Sequence, residues 1–162
     1  MHVGIVMGSR SQWSTMQHTA ELLAHLGIAY EAHIITANKN TNRLHEYASN
    51  AMDRGIEIII SASSGIAYLP GILASKTELP VLDVPMKSNS AKSIKSYDFN
   101  SYNSKGYPVV MLTTGSAGAI NSALLAASIL ANKYPLIHDN LINYRLMKET
   151  GNVSQGNSRY IA

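Results

Sequence analysis

The chain has 162 residues, enough for one domain with a substantial core; 46% of them are hydrophobic and only 14% are charged. Its formal net charge is +3 and no dense run of lysine or arginine occurs, which favours an acidic small molecule over nucleic acid as a partner. Cysteine is absent, so disulfides, thiolate metal sites and cysteine nucleophiles are excluded. The sparse charge favours a homo-oligomer, because a monomer of this composition would expose much apolar surface.

The chain opens with a strand signal that ends in a turn. Residues 3–7 are small or apolar, Gly8 and Ser9 interrupt them, and Ser9 or Ser11 is placed to cap a helix that begins near Gln12. Such a turn leaves backbone N–H groups at the carboxyl end of the strand, where α/β proteins often hold a phosphate. The same turn also fits a strand-to-helix connection without a ligand.

Strands and helices alternate along the rest of the chain, which predicts right-handed βαβ units in a three-layer α/β/α sandwich with a parallel sheet and an extra C-terminal helix. The predicted elements after the first strand are a helix from Trp13 to Gly27, a strand Ala29–Ile35, a helix ending at Arg54, strand Ile56–Ile60, a helix from about Tyr68, strands Val81–Val84 and Val109–Thr113, and helices Ala117–Lys133 and Leu136–Glu149.

Three further features of the sequence concern a polar segment, the domain bounds and a helix that is apolar on almost all sides. Residues 86–105 are polar and only partly periodic, so we expect a short helix with loops there. Residues 1–150 form a single domain and residues 151–162 a polar tail. Helix Ala117–Lys133 is apolar or small almost all round, so we expect the sheet on one side of it and another subunit on the other.

Ligands of such folds bind beyond the carboxyl ends of the strands. Four predicted loops meet there: Gly8–Gln12, Thr36–Thr41, Ser61–Gly71 and Thr114–Gly118. Asp83 lies at the end of the fourth strand, and we interpret it as a turn-forming residue in preference to a carboxylate of the crevice.

These segments contain several distinctive motifs: Met7-Gly8-Ser9-Arg10-Ser11, Thr36-Ala37, Ala67-x-Leu69-Pro70-Gly71, Val84-Pro85 and Gly115-x-Ala117-Gly118-Ala119-x-Asn121-x-Ala123-Leu124-Leu125-Ala126. Together they resemble the PurE family, which comprises carboxyaminoimidazole ribonucleotide mutases and aminoimidazole ribonucleotide carboxylases of purine synthesis. The resemblance runs from Val3 to the last helix. It implies a flavodoxin-like fold and an octamer.

The resemblance also implies the site. Its catalytic positions are Asn38 and Tyr68, and its substrate-binding positions are Gly8, Ser9, Ser11, Gln12, Lys39, Ser63, Ser64, Gly65 and Leu69. The family has aspartate where this chain has Gln12, and arginine where it has Lys39. The family's two histidines correspond here to Asn38 and Tyr68.

These replacements leave the reaction open. Moving a carboxyl group from the exocyclic nitrogen to the ring carbon requires removal of a ring proton, for which histidine is suited at neutral pH. Asn38 cannot titrate, and an ordinary tyrosine has a pKa of about 10. The sequence predicts a PurE-like enzyme acting on a phosphoribosylated, carboxylated aminoimidazole or close analogue, by carboxyl migration, carboxylation or decarboxylation. The alternative is a non-catalytic ligand-binding or regulatory homo-oligomer.

Other classes are disfavoured. The histidines are dispersed without metal-ligand spacing, so we expect no metal and no cofactor. We expect no signal peptide, because Met1-His2 leads directly into the first predicted strand, and the longest apolar run is too short to span a bilayer. We therefore expect a cytoplasmic protein with no membrane or nucleic-acid partner.

Overall fold

The computed structural model describes residues 2–36, 41–63, 69–86 and 106–150. Strands and helices alternate along them, as the hydrophobic pattern predicts. The elements are β1 (Val3–Met7), a 3-10 helix (Arg10–Gln12), α1 (Trp13–His25), β2 (Tyr30–Ile34), α2 (Thr41–Ser49), β3 (Ile58–Ser63), α3 (Leu69–Ala74), β4 (Val81–Pro85), β5 (Val110–Met111), α4 (Gly115–Leu130) and α5 (Pro135–Glu149).

The five strands form one parallel sheet in the order β2-β1-β3-β4-β5. This is the flavodoxin-like order, in which the chain winds outwards in both directions from the centre. In β1, Ile5 pairs with Ala32 of β2 on one side and with Ile60 of β3 on the other. The predicted fold class, a flavodoxin-like α/β/α sandwich with an extra C-terminal helix, is confirmed.

Helices cover both faces of the sheet. Alternate residues of a strand point to opposite faces, so Val3 and Ile5 pack beneath α1, α4 and α5, whereas Val6 and Ile59 pack beneath α2 and α3. All five residues of β1 and all five of β4 are buried. Burial on both faces explains why these strands are apolar throughout instead of alternating.

Helix α4 is covered on several sides by its own chain. It packs on α1, β4 and α5, and Ala119, Ala123 and Ala126 are fully buried. Small side chains allow α1 to come close enough for Thr19 Oγ1 to donate a hydrogen bond to the Ala119 carbonyl at 2.9 Å. Leu124 and Leu125 remain only partly buried, and the subunit contact expected on this helix stays a prediction.

Several boundaries differ from the sequence prediction, including those of α4, which is Gly115–Leu130 and not Ala117–Lys133. Strand β3 runs over Ile58–Ser63, not Ile56–Ile60, because Ser61–Ser63 pair through their backbones with β4 despite their small side chains. Helix α2 ends at Ser49, and turns continue from there to Gly55. Strand β5 keeps two residues of the predicted five, and it pairs only with β4 within the described sheet.

The predicted segment 86–105 lies outside the described residues from position 87 onwards, and the polar tail 151–162 lies outside them entirely. The division into one domain and a tail therefore stays a prediction.

Candidate active site

The carboxyl ends of the parallel strands meet at one edge of the sheet. The segments that leave this edge are described at residues 8–12, at Thr36, and at residues 69–71 and 113–118. The last two are not loops as predicted, because residues 69–71 form the first turn of α3 and α4 already begins at Gly115. Helices α1 and α4 both begin here, because each follows a strand that ends at this edge. This is the edge at which the sequence predicts the ligand crevice, and the crevice itself stays a prediction.

The side chain of Gln12 closes the first loop from inside. It is buried, and its Oε1 accepts hydrogen bonds from the N–H of Gly8 at 2.7 Å and from the N–H of Ser9 at 3.2 Å. Backbone donors of this kind, at the end of a strand, are those that commonly hold an anion. In this structure they are bonded to an amide oxygen of the same chain.

Two hydroxyl groups lie on the outside of this loop. Ser9 Oγ and Ser11 Oγ are 2.8 Å apart and exposed. Ser14 Oγ donates to the Ser11 carbonyl at 3.1 Å and holds the turn that carries them. Because each hydroxyl can both donate and accept, the pair can bind phosphate oxygens or ribose hydroxyls.

Thr36 joins the second loop to the first. Its Oγ1 donates to the Gly8 carbonyl at 3.0 Å, and the preceding Ile35 N–H donates to the Met7 carbonyl at 2.8 Å. The sequence placed Thr36 in a crevice loop without giving it a role, because nothing local indicates a contact across 28 positions.

Helix α4 is held at the crevice by a close approach to the end of β5. A Cβ atom added to Gly118 would collide with the carbonyl group of Thr113, so only glycine permits this spacing. Gly115, the first residue of the helix, has a φ of +72°, a conformation that glycine adopts at low cost. Two of the glycines in the last family-like motif are therefore required by the backbone.

The interpretation of Asp83 as a turn-former is wrong. Asp83 lies inside β4 in register with Ser61 of β3, and both side chains are fully buried. Ser61 Oγ donates to Asp83 Oδ1 at 3.3 Å. The pair lies on the sheet face covered by α2 and α3, near the strand ends. A carboxyl group at such a position requires hydrogen-bond partners, and the sequence could not show that Ser61 lies opposite.

A charged cluster occupies the opposite end of the sheet. Glu57 Oε1 accepts from the Tyr134 hydroxyl at 2.6 Å and lies 2.8 Å from His2 Nδ1, while Lys133 Nζ donates to Oε2 at 3.0 Å. Burial disfavours the charged carboxylate, but these hydrogen bonds outweigh it and lower the pKa of Glu57 to about 2. The cluster ties the chain start to the α4–α5 turn, away from the crevice.

A second charged group lies on edge strand β2. Arg54 donates to Glu31 at 3.1 Å and lies 4.7 Å above the ring of Tyr47. Burial and the nearby Glu31 carboxylate raise the pKa of the Tyr47 hydroxyl. That hydroxyl lies over Gly4, where a Cβ atom would collide with it. This group stabilises the packing of α2 on the sheet and does not belong to the crevice.

The structure thus brings four of the predicted site residues together: Gly8, Ser9, Ser11 and Gln12. Leu69 begins α3, and its side chain is 3% exposed within the core beneath α2 and α3. Ser63 is the last residue of β3. The remaining predicted site residues, Asn38, Lys39, Ser64, Gly65 and Tyr68, lie outside the described residues.

Two further features concern only the described part of the chain. Within it, no three or more histidine, aspartate or glutamate side chains are grouped so that they could hold a metal ion. No helix among the same residues is long and apolar enough to cross a membrane.

Comparison with known proteins gives a consistent result. The family model described as AIR carboxylase matches residues 2–150. The N5-carboxyaminoimidazole ribonucleotide mutase of Pseudomonas aeruginosa is 46% identical over 143 residues, 88% of each chain, and that of Vibrio cholerae is 41% identical over 153 residues, 94% of each. The crystal structure of Treponema denticola PurE superposes with a TM-score of 0.78 at 22% identity, covering 94% of each chain.

Proposed function

The chain belongs to the AIR carboxylase family, the PurE family, and from this premise we propose that it transfers a carboxyl group on a phosphoribosylated aminoimidazole. It is a PurE-type enzyme of the mutase and carboxylase group. The proposed substrate is the N5-carboxyaminoimidazole ribonucleotide named for its relatives, or a close analogue of it.

The observation that carries this proposal is the extent of the match. Identity of 46% extends over 88% of both chains, and the family model spans every strand of the sheet and every crevice loop. The crevice itself supports the proposal, because the paired hydroxyls of Ser9 and Ser11 suit a substrate that carries both ribose and phosphate.

We also propose that the ring proton is handled without the two histidines that the family resemblance associates with this step. All four crevice loops lack histidine, since Asn38 and Tyr68 stand at the corresponding positions. Carboxyl migration needs a group that removes the ring proton after carbon dioxide is captured. Decarboxylation needs only a proton donor and a pocket that disfavours the carboxylate. Tyr68 is the proposed proton donor for decarboxylation, since a neutral phenol can donate a proton but is a weak base near pH 7.

The first experiment is an ultraviolet assay with three substrates tested separately. They are N5-carboxyaminoimidazole ribonucleotide, its ring-carboxylated isomer, and aminoimidazole ribonucleotide with bicarbonate. Formation of the ring-carboxylated isomer from the first substrate indicates migration. Loss of the carboxyl group from the second indicates decarboxylation, and formation of a carboxylated product from the third indicates carboxylation. Binding in calorimetry without turnover of any of them would support the non-catalytic alternative and overturn the proposed reaction.

The matched variants separate the roles of the replaced positions. Tyr68→Phe removes only a hydroxyl and should abolish turnover if Tyr68 carries the proton. The triple change Asn38→His, Lys39→Arg and Tyr68→His restores three of the four residues that the resemblance implies and leaves Gln12 unchanged. If the parent already migrates the carboxyl group as fast as the triple variant, histidine at these positions is dispensable in this chain. Unchanged activity in Tyr68→Phe would refute the role proposed for Tyr68.

We further propose that the enzyme acts as a homo-oligomer. Helix α5 supports this, because it exposes four large apolar side chains, with Leu136 70% exposed. The other three are Ile142, Leu146 and Met147. Light scattering after size exclusion should give a mass of several chains, and Leu146→Glu should reduce it. The exposed Lys148→Gln, which also lowers the net charge by one unit, serves as a charge-matched control on the same helix, and a monomeric parent would refute the proposal.

A further inference from the structure

The peptide group between Gly8 and Ser9 is held from both sides by side chains of two different loops. Its carbonyl oxygen accepts from Thr36 Oγ1 at 3.0 Å, and its N–H donates to Gln12 Oε1 at 3.2 Å. The same Oε1 also accepts from the Gly8 N–H at 2.7 Å. We propose that Gln12 and Thr36 are positioning residues that hold this peptide as a clamp and so set the first crevice loop against the second.

The position of the clamp gives it a role in binding. Ser9 supplies one of the two exposed hydroxyls of the crevice, so the orientation of the clamped peptide decides where that hydroxyl points. Thr36 is the first residue of the second loop, and Asn38 and Lys39 follow it within three positions. Movement of this one peptide would therefore displace the Ser9 hydroxyl and alter its place relative to Thr36, where the second loop begins.

The sequence of the first loop makes such a clamp necessary. Gly8 has no Cβ and permits many backbone conformations. Among the residues that the structure describes, a Cβ atom placed on it would meet only Gln12 Oε1, at 3.8 Å. The hydrogen bonds with Gln12 and Thr36 restrict the backbone conformation at Gly8, which the glycine itself leaves variable.

The clamp also determines which groups of the loop remain for a ligand. Gln12 places a neutral carbonyl oxygen on the N–H donors, and the side chain is long enough to reach back over the turn. While these donors are occupied, an anionic or hydroxylated ligand is bound at this corner through the hydroxyls of Ser9 and Ser11. The clamp thus leaves ligand binding at this corner to the serine side chains instead of the backbone N–H groups.

The test compares three variants by hydrogen–deuterium exchange on peptides that span residues 7–12 of the full chain. Gln12→Met keeps the length but removes the acceptor oxygen, Thr36→Val removes only the hydroxyl, and Thr36→Ser keeps it. We expect exchange of the Gly8 and Ser9 amides to rise by about tenfold in Gln12→Met, since each lost hydrogen bond exposes a donor. Thr36→Val should give a smaller rise, and Thr36→Ser should match the parent.

Thr19→Val is the matched control, because it removes a buried hydroxyl from the α1–α4 contact and not from the crevice. It should lower stability without raising exchange in residues 7–12. Unchanged exchange in Gln12→Met, or an equal rise in Thr19→Val, would overturn the proposal. This part needs no substrate, so it is decided whether or not the proposed function holds.

The kinetic part rests on the proposed function. With the substrate that is turned over, Gln12→Met and Thr36→Val should each raise KM by about tenfold and leave kcat within about threefold, as expected for lost positioning of a binding loop. Because both act on one peptide, the double variant should raise KM by less than the product of the single effects. Faster exchange with an unchanged KM would refute the link to binding.

Discussion

Removing the charge of Glu57 should destabilise the protein in a pH-dependent way. Tyr134, Lys133 and His2 all contact this carboxylate, whose side chain is 25% exposed. Its pKa of about 2 lies 2.5 below the ordinary value of 4.5, which at about 1.36 kcal/mol per unit corresponds to at most about 3.4 kcal/mol. Partial exposure screens the interaction, so we expect Glu57→Gln to cost about 2 kcal/mol at pH 7.

The sign follows from the direction of the pKa change. A carboxyl group whose pKa is lower in the folded state contributes its stability above pH 4.5 and loses it as the pH falls towards 2. The difference in unfolding free energy between the parent and Glu57→Gln should therefore be constant from pH 7 to about pH 5.5. Below that it should shrink, by about 1 kcal/mol per pH unit at most.

Urea unfolding at fixed protein concentration between pH 3 and pH 7 measures this difference. Glu78→Gln is the matched control, since Glu78 is exposed in the turn before β4. It should change the unfolding free energy by less than about 0.5 kcal/mol at every pH. A difference between the parent and Glu57→Gln that stays constant down to pH 3 would refute the role of the charge.

Replacement of a glycine by alanine should destabilise the protein at Gly118 but leave its stability nearly unchanged at Gly8. Gly118→Ala places a Cβ atom against the carbonyl of Thr113 and should lower the free energy of unfolding by about 2–4 kcal/mol, measured by urea unfolding; a loss below about 0.5 kcal/mol would contradict the close approach. Within the described part of the chain, the Cβ atom of Gly8→Ala meets only Gln12 Oε1, at ordinary distance, and the change should alter stability by less than about 0.5 kcal/mol. Because Gly8 belongs to the loop proposed to bind substrate, the added methyl group should raise KM about tenfold or more; an unchanged KM would remove Gly8 from the binding surface.

Much of the fold is predictable from this sequence. The central strands are buried on both faces, so they are continuous apolar runs that contrast sharply with the intervening helices. Gly27 follows the first helix and has the positive φ of +73° that its place as a terminator predicts. Once five alternating units are recognised, the handedness of βαβ connections leaves few arrangements of a parallel sheet.

The errors arise where partners distant in the chain override local preference. Ser61 and Ala62 have small side chains typical of a loop, yet they continue β3 because β1 and β4 supply hydrogen bonds on both sides. Asp83 is a frequent turn residue, yet it lies inside β4 with Ser61 opposite. Neither partner is near in sequence, so no local pattern could indicate them.

The sequence by itself determined the family and the place of the crevice, because motifs and the order of elements are properties of neighbouring residues. Only the tertiary structure decided how the crevice is built. It showed that Gln12 Oε1 accepts hydrogen bonds from the backbone N–H groups expected to hold an anion. It also showed that Thr36, from another loop, donates a hydrogen bond to the Gly8 carbonyl of the same turn. It also separated Gly118, where a Cβ atom would collide with the Thr113 carbonyl, from Gly8, where a Cβ atom would meet the described residues only at ordinary distance. These distinctions depend on atoms brought together from distant positions, where distance and direction decide which hydrogen bonds form.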